Sequence, residues 1–149
     1  MSKHETPLTE HFWTCCCPGT FIPEYKLVRK TKDQARRLVD AVILPNESHC
    51  RASYADFPSL IGHDVVVVQT KASRLGMYVM GQAVFSARLA MSVGARSVRS
   101  VILVTKSDEA LLPLLESFPE VEVWIADPGL AREPTKVSTN MKAVIDAAT

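Results

Sequence analysis

The 149-residue chain contains no stretch of about 18 uncharged apolar residues, so nothing in it reads as a membrane span. It has no Walker A motif and no dinucleotide-type glycine pattern, which excludes the common Gly-rich phosphate cradles. No nucleophile elbow surrounds a serine, and Ser86 and Ser92 have no base at catalytic spacing. Neither sign of charge is in excess: 17 Lys+Arg stand against 16 Asp+Glu, a formal net charge of +1. Without a global basic field, a nucleic-acid partner must be met by a local patch. No repeat or low-complexity tract is visible. The opening Met1-Ser2-Lys3-His4-Glu5 is polar and leads into no apolar signal core, so the expected compartment is the cytoplasm.

Cysteines are few and badly spaced for cross-linking. Cys15, Cys16 and Cys17 are adjacent, and sequence neighbours rarely reach disulfide geometry. A zinc site favours CxxC-type spacing, which is absent. Cys17, His49 and Cys50 could converge in space, though nothing in the spacing demands it. Reduced, structurally incidental thiols are the other reading. His4, His11 and His49 show no ligand spacing.

What is present is an ordinary folding composition, 47% hydrophobic and 22% charged. The length suits one domain, with a core over about 20–127, a polar insertion over about 45–60 and a tail over about 128–149. Residues 1–12 read as a short helix or an arm whose inner face is Leu8, His11 and Phe12. Residues 13–23 read as loop. Strands are expected over 24–30 and 36–44, joined as a hairpin, then over 63–71, 98–104 and 121–126. Four consecutive valines, Val65–Val68, imply burial on both faces of a sheet. Helices are expected over 77–93, stopped by Gly94, and over 107–118 behind a capping serine, with Pro113 forcing a kink or a later start. A weak helix is expected near 138–147. The fold class is therefore α/β, a mixed sheet with helices on its faces.

Charged residues that interrupt apolar strands point to chemistry. Asp40 sits inside Leu38-Val39-Asp40-Ala41-Val42. Gln69 and Lys71 share one face at the end of the valine strand, because side chains alternate. If the two strands are adjacent and antiparallel, an acid, an amide and a lysine gather at one sheet edge. Oxygen donors there suit a hard divalent cation, and a lysine beside them suits a phosphate. Such a site fits phosphodiester hydrolysis. Alternatively, Asp40 is a solvated edge residue, and Gln69 and Lys71 mark where the strand meets water.

The stretch Arg37-Leu38-Val39-Asp40-Ala41-Val42-Ile43, then Val66-Val67-Val68-Gln69-Thr70-Lys71, then a helix carrying Gln82, resembles the PD-(D/E)XK nuclease superfamily. The resemblance covers residues 1–104 in order and extends to about residue 126. It implies a restriction-endonuclease-like αβββαβ core. It implies Asp40 as first metal ligand, Gln69 as second, the Thr70 backbone carbonyl as third and Lys71 as the catalytic lysine. Gln82 matches a helix glutamine that supports the site or touches the DNA backbone. Glu24 resembles an extra acid upstream of the first strand. Gln69 departs from the usual Glu, and Val-Gln-Thr-Lys is similar to the Gln-x-Lys version of Mrr-like nucleases. A neutral amide gives a cation less charge, and Glu24 would then supply it. The implied cofactor is Mg²⁺ or Mn²⁺, the implied partner DNA.

Lys26, Arg29, Lys30, Lys32, Arg36 and Arg37 fall within twelve residues on the hairpin leading to Asp40. They read either as a phosphate-backbone patch, extended by Arg74 and Arg88, or as a solvated hairpin. Tyr54 and Phe57 read as base-stacking rings or as packing for a lid. His63 and Asp64 read as a proton relay or a strand-start turn. The expectation is a metal-dependent nuclease acting on DNA, its specificity drawn from substrate structure, a partner subunit or a homodimer. The alternatives are a metal-poor nucleic-acid-binding module of the same fold, and an interaction protein of unrelated α/β fold.

Overall fold

The structure is a computed structural model and describes residues 1–140. The elements run α1 (Glu5–Cys16), β1 (Thr20–Val28), β2 (Arg37–Leu44), β3 (Cys50–Arg51), β4 (Asp64–Arg74), α2 (Met77–Ser92), β5 (Ser97–Lys106), a 3₁₀ helix (Leu112–Ser117), β6 (Val121–Ile125) and β7 (Thr135–Val137). One seven-stranded mixed sheet has the order β3-β1-β2-β4-β5-β6-β7. β1–β2, β2–β4 and β6–β7 are antiparallel, whereas β4–β5, β5–β6 and β1–β3 are parallel.

Three layers follow from the hydrophobic pattern. Val65 to Val68 are each at most 2% exposed, and each such burial contributes about 1.5–3 kcal/mol. Val66 and Val68 pack under α1 with Leu8, Phe12, Ala41 and Ile43. Val65 and Val67 face the other way, with Val39, Val42 and Ala90 of α2. Further along, Val79 and Ala83 of α2 pack on Ile102, Val104 and Val123. Gly94 ends α2 with φ +105, and a Cβ there would lie 2.7 Å from Ile61. Among the described residues no helix is long and apolar enough to cross a membrane.

Several boundaries differ from the sequence expectation. α1 runs on to Cys16, and its Leu8 and Phe12 belong to the core, which therefore begins well before residue 20. His11 is only half-buried. β1 starts at Thr20 rather than 24, because Pro23 sits inside the strand opposite Ala41. Proline is tolerated there since β3 covers only Thr20 and Phe21, leaving the rest of β1 an edge. The insertion contains β3, and the tail contains β7. The helix expected over 107–118 is a single 3₁₀ segment. Pro113 cannot supply the α-helical N–H, and Asp108, not Ser107, accepts the N–H groups of Ala110 and Leu111. The helix expected near 138–147 lies almost wholly outside the described residues.

Candidate active site

β2 and β4 are adjacent and antiparallel through Ala41↔Val68, Val42↔Val67 and Ile43↔Val66. Beyond Ala41 the ladder stops. On the other side of β2, Pro23 pairs Ala41 and Tyr25 pairs Val39, while the rung between them, Glu24 opposite Asp40, is not formed. Val39 and Val42 both face α2, so the strand spends an extra residue at Asp40-Ala41. β1 does the same: Ile22 and Tyr25 share that face, and Glu24 between them has φ +50. A left-handed non-glycine residue costs about 1–2 kcal/mol, and such strain persists where the surroundings enforce it. Two carboxylates thus stand opposite each other where β2 is released from both neighbours.

Asp40 replaces a lost rung. The Thr70 N–H, whose ladder partner would be Val39, donates to Asp40 Oδ2 at 2.8 Å. Asp40 Oδ1 lies 4.0 Å from the Met1 amino group, which is 2.5 Å from Glu24 Oε1. The Asp40 side chain is only 20% exposed. Burial pushes its carboxyl above the ordinary value, the charges of Glu5 and Glu24 push the same way, and the Thr70 N–H and Met1 ammonium oppose them. The first turn of α1 is fixed here by a buried hydroxyl pair, Thr9 Oγ1 to Thr70 Oγ1 at 2.7 Å. That contact brings Glu5 and Met1 beside Asp40.

Hard oxygen donors around a cationic group fit a divalent ion such as Mg²⁺ in chemistry. The N–H and C=O of a strand residue point to the same edge, so the Thr70 carbonyl faces the same opening. Among the described residues no group of three or more His, Cys, Asp or Glu side chains stands ready to hold a metal.

The glutamines go elsewhere. Gln69 is buried, and its amide Nε2 donates to Ser86 Oγ of α2 at 3.2 Å. The contact that joins β4 to Asp40 is made by the Thr70 backbone, not by the Gln69 side chain. Gln69 and the exposed Gln82 line one cleft of about 540 Å³ between α2 and the ends of β1 and β2. Lys71 is exposed and, among the described residues, makes no ion pair. The sequence-predicted constellation is thus divided: Asp40, Glu24 and the Thr70 backbone open on the α1 side, Gln69 and, by strand alternation, Lys71 on the α2 side with Gln82.

The basic hairpin is largely bare. Arg29, Lys30, Lys32, Arg36 and Arg37 are exposed, and Lys26 is half-buried with Nζ 5.4 Å from the Tyr54 ring centroid. Among the described residues none of the six pairs with an acid. A second cleft, about 780 Å³, is lined by Lys26, Arg29, Arg37 and Tyr54. Arg74 is tied to the Ser107 carbonyl at 3.0 Å and Arg88 to Glu120 at 3.3 Å, so neither extends the patch freely. Tyr54 packs edge-on against Tyr25, whose hydroxyl donates to the Phe57 carbonyl at 2.8 Å, so these rings hold the insertion on the core.

The remaining polar residues have structural employment. His49 Nδ1 accepts the Gly19 N–H at 3.2 Å and its ring stacks on Trp13 at 4.5 Å. All four cysteines are free; burial pushes the Cys16 thiol up to about 11 and raises that of Cys17. His63 lies 3.9 Å from Glu47, and Asp64 binds Arg96, Ser97 and Asn46. Reading the sequence missed Glu5, Thr9, Ser86 and the Met1 amino group. Each reaches the site only through tertiary packing, and only the acid and threonine in the first turns of α1 left a trace in the sequence. No family model, no curated protein and no solved structure matches the chain.

Proposed function

We propose that the chain is a cytoplasmic, metal-dependent nuclease of the restriction-endonuclease-like fold, hydrolysing DNA phosphodiester bonds. The observation that carries the reading is the carboxylate pair Glu24 and Asp40 at the unformed rung, one strained and one under-neutralised. The order α1-β1-β2-β4-α2-β5 supports it, being the order that the resemblance implies.

Asp40 Oδ1, Glu24 and the Thr70 carbonyl would hold Mg²⁺ or Mn²⁺. When bound, the ion supplies Lewis-acid polarisation of a phosphoryl oxygen and a more acidic water. The Thr70 N–H fixes Asp40 by its other oxygen, so the carboxylate is oriented before substrate arrives. Lys71 has no acid neutralising it and shares the strand face of Gln69, so it would reach a phosphate from the α2 side and offset charge that develops there. The bare hairpin cations grip the backbone.

One observation favours a second reading, a catalytically impaired nucleic-acid-binding module of the same fold. Gln69 spends its amide nitrogen on Ser86, on the face away from the two acids. Cleavage of supercoiled plasmid and short single strands with Mg²⁺ or Mn²⁺ separates the two, run beside Asp40→Ala and Lys71→Ala. The nuclease reading expects metal-dependent cutting that both substitutions abolish. DNA binding with no cutting by any form supports the impaired module.

A further inference from the structure

The cleft of about 540 Å³ beside α2 has a chemistry that the two acids do not explain. Tyr78, Gln82 and Phe85 recur at helical spacing along its wall. Tyr78 is 81% exposed and Phe85 69% exposed, with Leu38 and Met77 also in the open. Exposed rings that line one cleft mark a binding surface more than chance exposure does. The cleft is also free of negative charge. Its lining includes Arg36 and Arg37 and no Asp or Glu, and α2 contains no acidic residue.

Gly81 adds an independent sign. It lies in the interior of α2, where glycine weakens a helix relative to alanine. A Cβ at this position would meet nothing within 4 Å, so no contact inside the protein requires glycine. The space it keeps open is the floor of the cleft, which Gly81 lines.

From these residues we infer that the cleft receives an unpaired nucleobase of a single-stranded substrate. The base stacks on Phe85 and Tyr78, Gly81 leaves the floor flat, and Gln82 presents an amide that both donates and accepts, as base edges do. Arg36 and Arg37 meet the flanking phosphates. Val39 and Gln69 line the cleft and are chain neighbours of Asp40 and Thr70, which lie across the sheet from it, so a strand whose base is held here must pass the sheet edge to reach the acids. The inference rests on the nuclease reading for the identity of the ligand and narrows its substrate to strands with exposed bases.

The test is binding in EDTA, where no cleavage occurs, read by fluorescence anisotropy with the full chain. The probes are labelled oligodeoxythymidylate of about 12 nucleotides, an abasic oligomer of equal length and a duplex. The expected result is binding of the base-bearing strand about 10-fold tighter than the abasic one, by stacking alone. Phe85→Ala and Tyr78→Ala should erase that preference while leaving abasic binding in place, since both rings are exposed and the fold does not depend on them. Gly81→Leu should do the same by filling the floor, with a thermal melt to show that the chain remains folded. Equal binding of the thymidylate and abasic strands overturns the inference, as does a preference that survives Phe85→Ala. Light scattering that shows a dimer dissociated by Phe85→Ala, with no base preference, assigns the rings to an interface between copies instead. Base-dependent binding with no metal-dependent cutting sinks the nuclease reading alone. Cutting that needs Asp40 but shows no base preference sinks the cleft alone.

Discussion

Asp64 and Asp40 stand on neighbouring strands at opposite ends of one ladder, and the protein treats them oppositely. Asp64 opens β4 among donors: Arg96, Ser97 and Asn46 all bind its carboxylate, and the guanidinium of Arg96 above all holds its carboxyl well below the usual range. Asp40 has no arginine. Burial and two neighbouring acids push it up, against one backbone N–H and one ammonium. An acid whose work is to staple two strands is given compensating charge. An acid left half-buried and short of positive charge fits the cation that the nuclease reading places beside it.

That contrast can be broken by experiment. The largest effect should come from Asp40→Ala. Cleavage is expected to fall by at least about 100-fold, since even the supporting partners of a metal ligand are worth 10- to 100-fold. The same change orphans the Thr70 N–H, and urea denaturation should show a loss of about 1–3 kcal/mol. Next comes Gln69→Glu, which places a carboxylate at a site 3% exposed beside Ser86. A destabilisation of about 1–3 kcal/mol is expected at neutral pH. Its partial recovery on adding Mg²⁺ would show that the introduced acid reaches the ion; no recovery would place residue 69 outside the metal site.

Asp40→Asn keeps an acceptor for Thr70 and removes the charge. A carboxyl raised in the folded state is destabilising wherever it is ionised, so its favourable contribution exists only in acid and disappears as pH rises through the folded value. The variant should therefore be more stable than the parent at neutral pH, by about 1 kcal/mol as is usual when a functional charge is removed, and equal to it in acid. Melting curves across pH read this directly. Gly81→Ala should raise stability by about 0.8–1 kcal/mol, the helix-propensity gain of alanine over glycine, measured by the same melts. Asp64→Asn should act in the reverse sense to Asp40→Asn. A lowered carboxyl stabilises above its unfolded value and loses that effect as pH falls through the folded one. The network is exposed, so the drop in melting temperature should be the smallest of the set and should shrink in high salt.

Much of the scaffold was legible from local pattern. Four valines in a row announced a strand buried on both faces, and the run around Asp40 announced a second strand, whose antiparallel pairing with the first was a condition that the structure meets. Gly94 announced the end of α2. The first residues of β1 were read as loop, because nothing local in 20–23 shows that the strand runs through Pro23 on an edge that β3 leaves uncovered. Pro113 was noticed, but whether it would kink a helix or reduce it to a 3₁₀ turn depended on the packing around it. At the site, Asp40 was visible as a charge in an apolar strand. The direction in which Gln69 turns was not, because strand alternation fixes a face and not a hydrogen-bond partner; Ser86 is 17 residues away on α2. The role of Thr70 lay in its backbone, which no side-chain pattern reports.

The short strands at the sheet margins have a consequence for how this chain behaves in a crowd. An uncovered strand edge is a template on which a second chain can add and aggregate. Here one margin is β3, two residues long, and the other, among the described residues, is β7, three residues long with Lys136 at its centre. The stretch of β1 that β3 leaves bare carries Pro23, which has no N–H to offer, and Lys26, which repels a like copy. Backbone-to-backbone addition is discouraged at both ends. Encounters with other molecules are left to side chains: the cations of the hairpin and the rings of α2.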